Sequence, residues 1–237
     1  MLDLFQHERC LVCQEVMDSS FGWVDLFFPE KEESMCQMCK SKLQRMEGET
    51  CQICGRSFES LDPQYRNGNL CNDCTRWEDD SDYKGVLTQN HSIYQYNDFL
   101  KEIIAKYKYR GDYVLAKIFV EEIQNKIKNI KPDFIIPIPL SEERLQERGF
   151  NQAEALIIES GFKSANLLTR IHSEKQSKKS RSERIHLPRV FHTTEQVKGK
   201  ILLVDDIYTT GSTLRHAAKV LEKAGAESIY SLTIARG

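Results

Sequence analysis

Eight cysteines, all within the first 74 residues, have a spacing that can bind metal. They form four Cys-x-x-Cys pairs: Cys10 and Cys13, Cys36 and Cys39, Cys51 and Cys54, Cys71 and Cys74. Two cysteines three residues apart can point both sulfur atoms into one tetrahedral site, and two such pairs complete a zinc centre. The spacing therefore predicts two structural zinc ions, in preference to a disulfide scaffold or free thiols.

The order of the pairs leaves two wirings open. In the simpler, sequential wiring, one zinc takes the first two pairs (Cys10, Cys13, Cys36, Cys39) and the other takes the last two (Cys51, Cys54, Cys71, Cys74). In a cross-braced wiring, alternate pairs would share a zinc. Either way cysteine fills all four positions and leaves none for water, so we expect both ions to be structural.

A second group of reactive residue types follows an apolar run at 201–204, which is typical of a buried strand. Two adjacent carboxylates come next, Asp205 and Asp206, and then a small hydroxyl-rich turn that opens into a helix: Thr209, Thr210, Gly211, Ser212 and Thr213. Ligands of α/β folds bind at the carboxyl ends of strands, and a helix N-terminus suits a phosphate dianion. The acids suit sugar hydroxyls or Mg²⁺. The pattern predicts a ribose 5-phosphate site. The alternative interpretation is a solvated strand–turn–helix corner in which the acids and hydroxyls only cap the helix.

Strands and helices alternate through the remainder of the chain. Apolar spacing predicts strands at 92–96, 134–136, 201–204 and 228–235, with helices after Asp98, after Asp112, at 153–159 and after the turn. The stretch from 137 to 150 is predicted to be a loop. This alternation predicts an α/β domain whose parallel sheet is flanked by helices, over residues 86–237, preceded by a small zinc-binding module over residues 1–82.

Charge differs between the two parts. Residues 1–85 contain 17 Asp and Glu against 9 Lys and Arg, whereas residues 86–237 contain 18 against 24. An acidic module binds polyanions poorly, so a polyanionic partner should prefer the second part. The chain lacks a signal-peptide pattern and an apolar stretch of membrane-spanning length, which predicts no membrane span and a cytoplasmic location where thiols stay reduced.

The Asp-Asp and Thr-Thr-Gly run resembles the 5-phosphoribosyl-1-pyrophosphate (PRPP) motif of type I phosphoribosyltransferases. Three further segments resemble the ComF/GntX family of competence-related proteins: Lys108-Tyr109-Arg110-Gly111-Asp112, Pro137-Ile138-Pro139-Leu140 and Arg148-Gly149-Phe150-Asn151-Gln152. The longer members of that family also carry four Cys-x-x-Cys pairs. The resemblance covers nearly the whole chain and implies a phosphoribosyltransferase-type fold for residues 86–237.

The resemblance also implies roles for individual residues. Asp205 and Asp206 would hold the ribose hydroxyls and magnesium, and the residues from Thr209 to Thr213 would cradle the 5-phosphate of PRPP or ribose 5-phosphate. Arg144 and Arg148 stand in the place of the family's pyrophosphate loop, unless they are an exposed pair at a helix end. No catalytic residue is assigned.

A basic segment at 163–189 contains eight Lys and Arg against two Glu. In phosphoribosyltransferases a mobile loop here closes over the pyrophosphate. Gln176, Ser177 and Arg184 fit the pattern of ComF-type relatives, but His186 stands near the place of an expected Asn. A solvated loop with no binding role is the alternative.

Two functions from different classes follow from the resemblance. The favoured one is a PRPP-binding protein required for DNA uptake and natural transformation, which handles incoming single-stranded DNA by contacting the strand or a DNA-uptake motor protein. The alternative is an active magnesium-dependent phosphoribosyltransferase with an unidentified nitrogen acceptor. A nucleotide-sensing regulator ranks third, because no DNA-reading helix is evident. Fold alone does not decide between them.

Overall fold

The computed structural model describes residues 9–17, 33–59, 61–171 and 190–237. Most of the basic segment, including Gln176, Ser177, Arg184 and His186, lies outside the described residues.

The elements of the described residues follow the alternation predicted from the sequence. The strands are β1 (Arg66–Asn67), β2 (Leu70–Cys71), β3 (Gln89–Gln95), β4 (Phe134–Pro137), β5 (Thr169–Arg170), β6 (Phe191–His192), β7 (Lys200–Tyr208) and β8 (Ser228–Arg236). The α-helices are α1 (Gln37–Lys42), α2 (Asn72–Asp79), α3 (Asp98–Tyr109), α4 (Val120–Ile130), α5 (Glu142–Arg148), α6 (Gln152–Glu159) and α7 (Ser212–Lys223). Two 3₁₀ helices span Pro63–Tyr65 and Tyr113–Phe119.

Four strands form one parallel sheet in the order β3-β8-β7-β4. The two central strands pair along their whole length, from Lys200 opposite Ser228 to Tyr208 opposite Arg236. Edge strand β4 is shorter, and its last pair is Pro137 with Val204. This parallel α/β sheet with flanking helices confirms the predicted fold class.

Each face of the sheet is covered by its own core. Leu202 and Val204 of β7 pack in the core that includes α3, α4 and α6, while Ile201 and Leu203 pack in the core that includes α7. The cysteines of the zinc-binding module are divided between these cores. Cys10 and Cys39 belong to the first, and all four cysteines of the later pairs belong to the second.

The zinc-binding module also extends the edge of the sheet. The amide of Gln95 donates to the carbonyl of Gln44 at 2.8 Å, and that of Met46 donates to the carbonyl of Ile93 at 3.0 Å. These bonds satisfy backbone groups that edge strand β3 would otherwise expose. The domain boundaries at 82 and 86 stay a prediction.

Three local predictions were wrong in detail. Helix α3 is capped by Asn97 rather than Asp98, since the Asn97 side chain accepts a hydrogen bond from the amide of Leu100 at 2.9 Å. Asp112 precedes a 3₁₀ helix and its side chain makes no capping bond there. The stretch predicted to be a loop contains α5, whose first turn is capped by Ser141.

None of the helices in the described part of the chain has the length and apolar content that a membrane span requires.

Candidate functional site

The eight cysteines lie in two clusters of four, in the sequential wiring. The first cluster is Cys10, Cys13, Cys36 and Cys39, and the second cluster is Cys51, Cys54, Cys71 and Cys74. Within each cluster the sulfur atoms lie within 4.8 Å of one another. A tetrahedral zinc–thiolate centre with bonds of about 2.3 Å has sulfur–sulfur edges of about 3.8 Å. The Cys13–Cys36 and Cys54–Cys71 distances of 3.7 and 3.6 Å match that edge, so both clusters fit structural zinc.

The connection between β7 and α7, which we call the β7–α7 turn (residues 208–212), has the geometry of an anion site. Gly211 has a φ of +80°, and a β-carbon there would collide with the Tyr208 hydroxyl. The hydroxyls of Thr210 and Ser212 lie 2.9 Å apart beside a cavity of about 30 Å³. Asp205 and residues 207–214 line that cavity at the N-terminus of a twelve-residue helix. Backbone amides and hydroxyls therefore converge where a phosphate would bind.

Asp205 and Asp206 lie inside β7, not after its end as the sequence predicted. The strand continues because β8 continues beside it, and Asp205 pairs with Thr233. Since β4 stops opposite Val204, the two acids have no strand neighbour on that side. The interrupted edge lies at the carboxyl end of the sheet, where ligands of α/β folds bind.

The two carboxylates have different partners. Asp206 forms an ion pair of 2.8 Å with Lys108, and both side chains are largely buried. Asp205 accepts a hydrogen bond of 2.9 Å from the amide of Asp206. Burial raises the pKa of Asp205 well above its ordinary value, and the charge of Asp206 adds to the rise, while Lys108 and Arg148 partly offset it. Two adjacent buried carboxylates are also a set of oxygen ligands that suits a divalent cation.

Arg144 and Arg148 lie on α5 but differ in surroundings. Arg144 is exposed. Arg148 is half-buried, donates to the Gln152 side-chain oxygen at 2.9 Å, and lies 5.8 Å from the centre of the Tyr109 ring. Because Arg148 lowers the pKa of Asp205, it belongs to the electrostatic field of the acid pair. The alternative of an exposed helix-end pair therefore describes Arg144 better than Arg148.

Two cations near the acids had no role in the sequence interpretation. Lys108 stood in a recognised motif, but nothing in its spacing connects it with Asp206. Arg170 of β5 is half-buried; burial and the nearby Arg144 lower its pKa, and Asp205 opposes that change. Arg170 is one of the eight positive residues of the basic segment, but nothing in the sequence connects it with Asp205.

Three tyrosines before, at the end of and after α3 have exposed side chains. Tyr96, Tyr109 and Tyr113 are 38%, 65% and 37% exposed. Burial raises the pKa of Tyr96, and Asp206 and Tyr109 raise it further, which places these groups near each other. Tyr113 packs edge-on against Phe150, with ring centres 5.0 Å apart. We call Tyr96, Tyr109 and Tyr113 the tyrosine rim.

The fold and the β7–α7 turn define a phosphoribosyltransferase-type domain joined to a double zinc ribbon. The family model described as "Phosphoribosyl transferase domain" matches residues 113–237, and the one described as "Double zinc ribbon domain" matches residues 1–75.

Several whole proteins are similar to this chain over both the zinc ribbons and the phosphoribosyltransferase-type domain. The chain is 38% identical to competence protein ComFC of Bacillus subtilis (strain 168) over 233 residues, which are 96% of this chain and 94% of that protein. It is 33% identical to competence protein ComFC of Streptococcus pneumoniae over 231 residues, which are 96% and 100% of the two chains. Competence protein F of Haemophilus influenzae is 26% identical over 227 residues, or 85% and 96%. The chain belongs to the ComFC family, which confirms the family predicted from the sequence.

Proposed function

We propose that this protein serves the uptake of DNA in natural transformation, and that its α/β domain binds PRPP or ribose 5-phosphate with magnesium. The proposed role in DNA uptake rests on the similarity to proteins named for competence. That similarity extends over both the zinc-binding module and the α/β domain. It favours this function over a phosphoribosyltransferase with a nitrogen acceptor. We propose that the protein acts in the cytoplasm, because thiols stay reduced there and can keep zinc bound.

The ligand site rests on the chemistry of the residues brought together. Asp205 and Asp206 would hold the ribose hydroxyls and magnesium, which supplies positive charge between the carboxylates and the ligand oxygens. The residues that would cradle the 5-phosphate are Thr209, Thr210, Gly211, Ser212 and Thr213. Arg148, whose charge acts on Asp205, and the exposed Arg144 of the same helix would meet a pyrophosphate. The fit is supported by the hydroxyls of Thr210 and Ser212, which lie 2.9 Å apart beside the small cavity at the helix N-terminus.

Single-stranded DNA is the polyanion that the surface next to this site suits. Proteins hold such strands by stacking bases on aromatic rings and by pairing phosphates with Arg and Lys. The tyrosine rim supplies exposed rings, and Arg148 lies over one of them, that of Tyr109. The zinc-binding module is acidic, so the strand should run over the α/β domain. A DNA-uptake motor protein is the protein partner we propose.

Transformation of the organism that encodes the protein tests this function. Deletion of the gene should reduce transformation frequency, and the parent chain should restore it. A chain with Asp205→Asn and Asp206→Asn should fail to restore it at equal protein level. The matched control is Glu227→Gln, an exposed acid just before β8 begins, at the opposite end of the sheet. Normal transformation in the deletion strain would contradict the proposal.

A further inference from the structure

The β7–α7 turn lies against the second cluster of cysteines. Three successive carbonyl groups, those of Tyr208, Thr209 and Thr210, accept hydrogen bonds from side chains on that side. The Arg236 Nη1 atom donates to the carbonyls of Tyr208 at 3.1 Å and Thr209 at 2.9 Å. The indole Nε1 of Trp77, which lies on α2 three residues after Cys74, donates to the carbonyl of Thr210 at 3.0 Å.

The orientation of these carbonyls sets the direction of the amides. In a trans peptide the carbonyl of one residue and the N–H of the next point in opposite directions. Carbonyls that face the second cluster therefore turn the N–H groups of Thr209, Thr210 and Gly211 away from it. Successive amides that point to one side form a concave anion site. The contacts of Arg236 and Trp77 thus present the amides to the cavity where the phosphate would bind.

The second cluster, in turn, has two buried arginines as partners. Arg215 of α7 is fully buried and donates from Nη2 to the Cys74 sulfur at 3.5 Å. Arg236 of β8 is 5% exposed and donates from Nη2 to the Cys54 sulfur at 3.4 Å. A zinc ion with four thiolates carries a net charge of about −2, which two guanidinium groups offset. Loss of the zinc–thiolate charge would remove that partner from both buried arginines, and Arg215 would keep only Glu78, whose Oε1 atom lies 3.5 Å from its Nη1 atom.

We propose that the second zinc centre positions the β7–α7 turn through Arg236 and Trp77, so that zinc retention there and phosphate binding at the turn strengthen each other. The inference rests on the proposed function, because it needs a phosphate ligand at that turn. Arg236 links the two sites directly, since one guanidinium group contacts a zinc-ligating sulfur and two turn carbonyls. The first cluster lies elsewhere, against α3, where Lys106 donates to the carbonyl of Val12 at 3.4 Å.

Linkage between binding sites is reciprocal, so either ligand can report it, and couplings of this kind are typically about tenfold. The first measurement is the zinc affinity from equilibrium competition with a coloured chelator, with and without saturating ribose 5-phosphate. Cys13→Ser protein, which should keep zinc only in the second centre, should bind it about tenfold more tightly when the sugar phosphate is present. Cys51→Ser protein, which should keep zinc only in the first centre, is the control and should show no change.

The second measurement is the affinity for ribose 5-phosphate by calorimetry. Trp77→Phe removes one N–H donor and keeps a ring, and Arg236→Lys keeps the charge but loses the fork that joins sulfur and carbonyls. Both should weaken binding by about tenfold, and Trp77→Phe should keep its zinc content. Tyr83→Phe is the matched control, because the Tyr83 ring packs against Trp77 but its hydroxyl contacts His216 rather than the turn.

The outcomes separate this inference from the proposed function. If ribose 5-phosphate binds the parent chain, yet zinc affinity is unchanged and Trp77→Phe binds normally, the coupling is wrong and the proposed function stands. If ribose 5-phosphate does not bind the parent chain, the proposed ligand site fails and the coupling fails with it.

Discussion

Gly211 combines two constraints at one residue, a left-handed backbone and contact with a neighbouring ring. Gly211→Ala would add roughly 1–2 kcal/mol of backbone strain and a collision with Tyr208. We expect it to abolish ribose 5-phosphate binding through distortion of the turn, not only through a block of the phosphate. Gly85→Ala is a matched control, since Gly85 has a similar φ of +72° with open space where the β-carbon would lie. Equal binding by both variants, measured calorimetrically, would contradict this account.

The ion pair of Lys108 with Asp206 should contribute to the stability of the fold. Lys108→Gln leaves a largely buried carboxylate without its partner, which should reduce the free energy of unfolding by roughly 3 kcal/mol. Adding Asp206→Asn should recover part of that loss, since the two changes couple. Lys101→Gln, on the exposed side of the same helix, should change little. Urea unfolding of the parent, both single variants, the double variant and Lys101→Gln checks this, and additive effects of Lys108→Gln and Asp206→Asn would contradict it.

Only some of the residues at this site could be predicted from the sequence. Asp205, Asp206 and the turn could be predicted because their chemistry is contiguous in the chain. Lys108 and Arg170 could not, because the sheet brings them to the acids from distant segments and no local spacing records that approach. The same holds for Arg215 and Arg236, whose neighbours are cysteines of another part of the chain.

At the scale of elements, helix and strand types were predicted well and their ends less well. The apolar run at 201–204 predicts a four-residue strand, but β7 continues to Tyr208. Polar residues can prolong a strand when a neighbour keeps pairing with it, and β8 does so as far as Arg236. The stagger between β4 and its neighbours, which opens the site, depends on pairing that periodicity does not encode.

The two zinc ribbons can be tested through the zinc content of the protein. Metal analysis should find two zinc equivalents per chain, and fewer than about one and a half in fully loaded protein would contradict two centres. Cys13→Ser and Cys51→Ser should each lose one equivalent. Cys51→Ser should lower the melting temperature further, because the second cluster is buried and pairs with two buried arginines, whereas Cys13 is exposed.

The positive charge of the basic segment predicts a contribution to DNA binding. Single-stranded DNA is held largely through phosphates, so affinity depends steeply on salt. Reversing four positive charges to Glu should weaken DNA binding and reduce the salt slope without changing zinc content; the residues are Lys175, Lys178, Lys179 and Arg181. The control reverses four exposed lysines elsewhere: Lys101, Lys117, Lys128 and Lys223.

The same variant distinguishes two roles for the segment. Weaker PRPP binding with unchanged DNA affinity would assign the charges to pyrophosphate instead. If DNA binding, PRPP binding and transformation all stay unchanged, the segment is a solvated connector and the prediction is wrong.

For the whole molecule, the sequence indicated an acidic metal module followed by a basic α/β domain, and both parts are present. What it did not indicate is that the module covers the sheet on two sides, with one cluster in each core. The module therefore completes the hydrophobic cores of the α/β domain. Local patterns report how a segment folds, but not which surfaces of two segments will meet.

Binding of PRPP with magnesium to the intact protein would show whether Asp205, Asp206 and the β7–α7 turn form one ligand site. At about 100 times its dissociation constant, a ligand of the folded state should add roughly 2.7 kcal/mol to the free energy of unfolding. We expect that gain in the parent chain, a clear dependence on magnesium, and loss of that dependence in Asp205→Asn, Asp206→Asn protein. A parent chain that gains no stability from PRPP, or a double variant that responds like the parent, would contradict the assignment of this site.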